Sequence, residues 1–299
     1  MIRINPIQKI LNIRNLKQHY SKLFLLITGC TIFTSCQNNF SADERQLTVS
    51  IEPLRFVTEA IAGDCFEVKT LTPEGVSPEA YMPTPQQIAN VNKGSAYIYL
   101  GALGFEQQNL DKIIENCPHL YAINVSENIA LIPNEGCCSS DSSDPHLWTS
   151  PKNIKTIARN IHKALCHMDS ANVTEYNQRL TKFTQRIDSV NTIIHEILDS
   201  IPHRSFLINH PALAYFANQY DLKQLSVEKE GKEASAERVA QLIQECRQRD
   251  VKMVFLQKQN SKRLATHIAE EIGADTMTIN PLSFDWENEI VHIAKSLSR

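Results

Sequence analysis

The segment Val173–Ser200, VTEYNQRLTKFTQRIDSVNTIIHEILDS, decides how the rest of the chain is read. Eight of its apolar residues, Val173, Tyr176, Leu180, Phe183, Ile187, Val190, Ile194 and Ile197, recur in steps that alternate between three and four. That period lays one narrow apolar stripe along an α-helix. No glycine or proline interrupts residues 172–200, and Pro202 follows at once. At 1.5 Å per residue, about 28 residues make a rod of roughly 40 Å. An antiparallel coiled-coil hairpin would need a partner of equal length, and the helical pattern just before it, 152–167, is shorter. The spacing therefore predicts a rigid helix laid along two lobes.

The flanks fit that reading. Before the rod, β-rich runs at 47–51, 66–71, 96–100 and 120–125 alternate with helix-like stretches at 53–62, 84–92 and 106–115. After it, runs at 205–208, 222–227, 251–256 and 276–279 alternate with helical patterns at 212–220, 235–249, 261–273 and 285–298. Alternation of this kind argues for an α/β protein with mainly parallel sheets. At 299 residues the chain can build two compact lobes. The expected division is an N-terminal lobe at 47–168, a linker helix at 172–200 and a C-terminal lobe at 201–299.

The N-terminus reads as a leader. Arg3, Lys9, Arg14, Lys17 and Lys22 precede a short apolar run, Leu23 to Phe33, which ends at Thr34-Ser35-Cys36. A basic region, an apolar region of about 7–15 residues and small residues at the cut are the signal-peptide pattern. A cysteine just beyond them is the bacterial lipoprotein arrangement, so residues 1–35 would be removed and Cys36 would carry lipid. Phe33 is not the usual aliphatic residue of that motif. Ile27-Thr28-Gly29-Cys30 matches it better by letter, but only five apolar residues, Leu23 to Ile27, run up to it, the last of them within the motif. An apolar run of about 11 residues cannot span a bilayer that needs about 20. Residues 36–46 would then be a polar tether. Without 1–35 the chain keeps 25 basic against 33 acidic residues, a net charge of −8. An acidic exported protein repels nucleic acid and attracts cations. Cys65, Cys117, Cys137, Cys138, Cys166 and Cys246 follow no zinc-finger spacing, and their pairing is left open.

Four loop residues are candidates for chemistry. Glu79 lies in the loop after run 66–71, and His146 in Asp144-Pro145-His146-Leu147-Trp148. His210 follows run 205–208, and Asn280 follows run 276–279. Open α/β sheets bind ligands outside the carboxyl ends of their strands, and these four, two from each lobe, would line one cleft. Singly they are ordinary. A loop histidine is more often a surface or hydrogen-bonded side chain, Glu79 alone is a turn residue, and Asn280 before proline is a turn initiator.

Together with GVSPEAYMPTPQQI (75–88), DPHLWTSP (144–151), NHPALAYFANQYDL (209–222), EGKEASAERVAQLI (230–243) and NPLSFDWENEI (280–290), they carry a resemblance. The chain resembles the metal-binding class of ABC-transporter solute-binding proteins, the zinc/manganese group called cluster A-I, over nearly its whole length after the leader. The resemblance implies two βα lobes, a rigid linker helix and one divalent ion bound between the lobes. It also implies a monomer that works outside the cytoplasm with an ABC permease and its ATPase, tethered to the membrane by the Cys36 lipid. The family's metal ligands fall on Glu79, His146, His210 and Asn280.

Two of these depart from the family, which commonly has His at the place of Glu79 and Asp at that of Asn280. The charge of the donor set is −1 either way, so the site reads as compensated. Two imidazoles and a carboxylate are a credible Zn²⁺ set, with Mn²⁺ or Fe²⁺ the alternatives. Asp285 is a rival fourth ligand, or a cap for the last helix. Asp144 is expected to orient His146 through its other ring nitrogen. The loop Asn134–His146 carries Cys137 and Cys138; it reads as a flexible loop, with capture of soft metal by the two thiolates as the other reading. An exported zinc hydrolase would need an open coordination position, and neither His-Glu-x-x-His nor Gly-x-Ser-x-Gly is present. No enzyme is expected. An exported adhesin or metal-storage protein is the other class that this fold could serve.

Overall fold

The computed structural model describes residues 45–133, 143–228, 234–260 and 262–299. The leader, Cys36, Cys137 and Cys138 lie outside the described residues. Strands β1 (Gln46–Val49), β2 (Glu67–Thr70), β3 (Ala96–Tyr99) and β4 (Tyr121–Asn124) form one sheet in the order β2-β1-β3-β4. Strands β5 (Ser205–Ile208), β6 (Lys223–Ser226), β7 (Met253–Gln257) and β8 (Asp275–Ile279) form a second in the order β6-β5-β7-β8. Every pairing is parallel. The inner strands β1 (QLTV) and β7 (MVFLQ) are buried at every position, as strands covered on both faces must be.

The helices are α1 (Glu52–Ala62), α2 (Pro85–Val91), α3 (Gly104–Asn116), α4 (Pro151–Met168), α5 (Val173–Leu198), α6 (Ala214–Gln219), α7 (Ala236–Gln248), α8 (Arg263–Ile272) and α9 (Trp286–Leu297). No described helix is long and apolar enough to cross a membrane.

The rod is α5, 26 residues and about 39 Å long. It buries Tyr176, Phe183, Ile187, Val190, Ile194 and Leu198. Val173, Leu180 and Ile197 of the expected stripe are only half-buried, and Leu198 takes the last inward position. A straight helix turns 3.6 residues per turn, so a 3.5 pattern drifts off the seam over several turns.

Its packing combines both readings of the rod. Helix α4 folds back along α5 between Asn177 and Asp188, as Lys155 pairs with Asp188 and His162 with Asn177. The second half docks on the C-terminal lobe, where Asn191 accepts hydrogen bonds from Gln219 (2.7 Å) and the Tyr220 hydroxyl (2.8 Å). Helices α1 and α9 also pack on the rod. Phe56 of α1 lies against Phe183, Phe284 and Trp286, with centroid distances of 5.7, 6.2 and 6.1 Å. One hydrophobic cluster thus runs unbroken from Leu47 through Tyr176 to Leu297. Lobes that share a core cannot separate without exposing it.

Candidate metal centre

His146 is held by its own loop. The Asp144 carboxylate accepts the backbone N–H of His146 at 2.8 Å and faces its Nδ1 at 3.1 Å through the same oxygen. Thr149 donates its hydroxyl to the His146 carbonyl (2.9 Å), and Asn153 donates to that of Leu147 (3.0 Å). Ser150 caps α4 immediately beyond, with Pro151 at its first position. Asp144 therefore stands within hydrogen-bond distance of both the backbone and the ring of His146. Burial alone would push the His146 pKa down. The Asp144 charge, its hydrogen bond and the Glu79 charge outweigh that, and the net shift is upward from 6.5.

His210 stands two residues beyond β5. Its Nδ1 lies 3.0 Å from Glu228 Oε2, just past the end of β6. Both imidazoles thus have Nδ1 engaged by a carboxylate, which leaves Nε2 free for an ion, the arrangement common among metal-ligating histidines. Glu228 was not foreseen from the sequence. The one signal for it is its place directly after a strand adjacent to the His210 strand.

Glu79 arrives from the loop after β2. Its loop is pressed against the start of α3, where Phe105 donates its N–H to the Pro78 carbonyl (3.2 Å). The buried carboxylate of Glu106 accepts N–H groups from Leu100, Gly101 and Leu103 and so fixes the turn leading into α3. Gly104 makes the approach possible, because a Cβ there would lie 2.3 Å from the Glu79 carbonyl oxygen. Gly104→Ala is therefore expected to displace the Glu79 loop. It should cost about 1–3 kcal/mol of stability, as overpacking does, and weaken metal binding about tenfold; chelator competition and urea unfolding measure the two effects.

The three side chains converge. Glu79, His146 and His210 offer donor atoms within 4.8 Å of one another. His146 Nε2 is 4.0 Å from Glu79 Oε1, and the two imidazole rings meet edge-on at 5.2 Å. Glu79 Oε1 is buried and has no hydrogen-bond partner among the described residues. A buried oxygen left without a partner is costly, and a cation would satisfy it. The cavity they line is about 20 Å³, with Ser77, Trp148, Gln257 and Pro281 also in its wall. That is room for one water-sized body and none for an organic solute. A larger hollow of about 430 Å³ has Asp144, Pro211 and Leu225 in its wall but none of the three donors. All three donors line the small one.

Asn280 follows β8 as expected, but its side-chain oxygen accepts a hydrogen bond from Gln259 at 2.7 Å, and it does not line the cavity. Its N–H donates to Glu289 (2.8 Å). Asp285 is exposed, receives the Asn288 amide and makes no capping bond to α9. It is not part of the donor cluster, because helix α9 starts with this carboxylate turned to solvent. Cys65, Cys117, Cys166 and Cys246 form no disulfide among the described residues.

Two parallel-sheet lobes on a shared helix, closing on a cavity sized for one ion, define a metal-binding solute-binding protein of the ABC uptake class. Residues 47–294 match the family described as "Zinc-uptake complex component A periplasmic", and the chain belongs to that family. Its members are extracytoplasmic components of metal transport, acting with a permease and an ATPase, and are not enzymes. The crystal structure of a ZnuA superposes with a TM-score of 0.81 at 34% identity, covering 85% of this chain and 98% of that one. The high-affinity zinc uptake system protein ZnuA of Bacillus subtilis is 24% identical, over 87% of this chain and 85% of its own. The manganese-binding lipoprotein MntA of Halalkalibacterium halodurans is 27% identical, over 77% of this chain and 76% of its own.

Proposed function

We propose that this protein is a monomeric carrier, anchored outside the cytoplasm by lipid on Cys36, that captures one Zn²⁺ ion and delivers it to an ABC permease. Glu79, His146 and His210 hold the ion. The observation that carries this reading is the unpartnered Glu79 oxygen facing two imidazoles whose other nitrogens are already bound by Asp144 and Glu228. Two nitrogen donors and one carboxylate suit Zn²⁺. Zn²⁺ also outranks Mn²⁺ and Fe²⁺ in intrinsic affinity. A cavity with room for one water-sized body favours carriage of an ion over hydrolysis, which needs an open coordination position. A net charge of −8 after the leader draws cations in.

The test is elemental analysis and competitive titration of the purified protein. One Zn²⁺ per chain is expected, with Mn²⁺ failing to displace it; equal competition by Mn²⁺ would sink the zinc assignment. Since the His146 pKa stands above 6.5 in the empty protein, an ion entering near that pH must expel a proton. Affinity therefore falls as pH drops through the raised pKa, and calorimetry in buffers of different ionisation heat reads the released proton. Cys36→Ser should move the protein from the membrane to the soluble fraction.

A further inference from the structure

The sequence motif supplies Asn280 as a fourth donor, yet the fold turns that side chain to Gln259. Another oxygen in the cavity wall is unclaimed. Gln257, the last residue of β7, is 3% exposed, and its side-chain oxygen is buried without a hydrogen-bond partner among the described residues. Glu79 Oε1 is the other unpartnered buried oxygen in the same wall. Buried amide oxygens are almost always paired, and one that is not requires a reason.

Topology supplies the reason. In the order β6-β5-β7-β8, the chain runs outward one way from β5 to β6 and the other way from β7 to β8. The crevice between β5 and β7 is thus the switch point, where open α/β sheets bind ligands at strand carboxyl ends. His210 follows β5 and Gln257 ends β7, so the two flank this crevice. Asn209, beside His210, accepts the Gln257 backbone N–H at 2.9 Å and ties the two rims together.

We propose that the Gln257 carboxamide oxygen, and not Asn280, completes the coordination of the ion held by Glu79, His146 and His210. This rests on the metal-binding reading above. A neutral amide oxygen adds a donor without adding charge, so Glu79 remains the single anionic ligand.

The experiment compares the parent protein with Gln257→Leu, Gln257→Glu and Asn280→Ala, using Zn²⁺ competition and the visible absorption bands of bound Co²⁺. Gln257→Leu is expected to weaken Zn²⁺ binding about 10–100-fold and to move the Co²⁺ bands. Gln257→Glu, of equal length, should tighten binding and also move them. Asn280→Ala should leave the bands in place. Bands unmoved in both Gln257 variants would overturn the proposal, even if Gln257→Leu binds more weakly, since that combination is a packing effect. If Gln257→Leu fails to fold, the isosteric Gln257→Glu decides alone. A parent protein that binds neither ion would overturn the metal-binding reading itself, which separates that failure from this one.

Discussion

Glu79→Ala is expected to lower Zn²⁺ affinity by about 100-fold or more while leaving the empty protein as stable as the parent. Removing a partner that merely orients a ligand already costs about 10–100-fold, and Glu79 brings the only negative charge among the three clustered donors. A hundredfold loss corresponds to about 2.7 kcal/mol. The second half of the expectation is the sharper one. Glu79 Oε1 is buried and has no hydrogen-bond partner among the described residues, so its removal takes away a penalty rather than a bond. The apo form should stay within about 0.5 kcal/mol of the parent or rise slightly, as for substitutions that break no packing. Glu79→Gln separates charge from shape and should fall between the two. Glu79→His restores the imidazole usual in the resembling family and should keep Zn²⁺ binding. Wild-type affinity in Glu79→Ala would remove Glu79 from the site.

Trp148→Ala is expected to be the most destabilising single substitution near the cleft. Trp148 is fully buried. Its indole N–H reaches across to the Pro281 carbonyl at 2.7 Å, and its own carbonyl receives the Trp286 indole N–H at 2.9 Å. Two tryptophans therefore lace the N-terminal lobe to the loop and helix that follow β8. Truncation of a buried aromatic side chain costs about 3–5 kcal/mol, and the abandoned Pro281 carbonyl adds to that. In a fold of this size the melting temperature should drop by about 10 °C. Metal binding should weaken as well, because the Trp148 ring lies 5.2 Å from that of His146. Trp148→Phe keeps most of the bulk and isolates the lost hydrogen bond, at about 1 kcal/mol. Urea unfolding of the empty proteins measures both, and a loss below 1 kcal/mol in Trp148→Ala would show that the lobes are held elsewhere. The same lacing predicts small lobe movement on metal release. Scattering profiles of empty and loaded protein should nearly coincide, and a wide clamshell opening would contradict the shared core.

What the sequence determined by itself is local. β-rich runs marked all eight strands and a repeat of three to four residues marked the long helix, because local composition and helical period are written into consecutive residues. Glu79 and His210 stood out for their loops after strands, and His146 for its Asp-Pro-His-Leu-Trp segment. What only the tertiary structure decided is long-range. Residues 79, 146 and 210 meet within 4.8 Å because two separately wound sheets dock on one rod, which no window of sequence contains. Whether α5 has a partner was likewise settled by packing: α4 runs along it as far as Asp188, and the C-terminal lobe engages it at Asn191. The fourth donor shows the same division. Asn280 has the motif, but its carboxamide is turned to Gln259. Gln257 has no motif, yet its buried oxygen has no partner among the described residues. Motif spacing specifies where a residue sits along the chain, whereas the direction of its side chain depends on neighbours that only the folded crevice brings together.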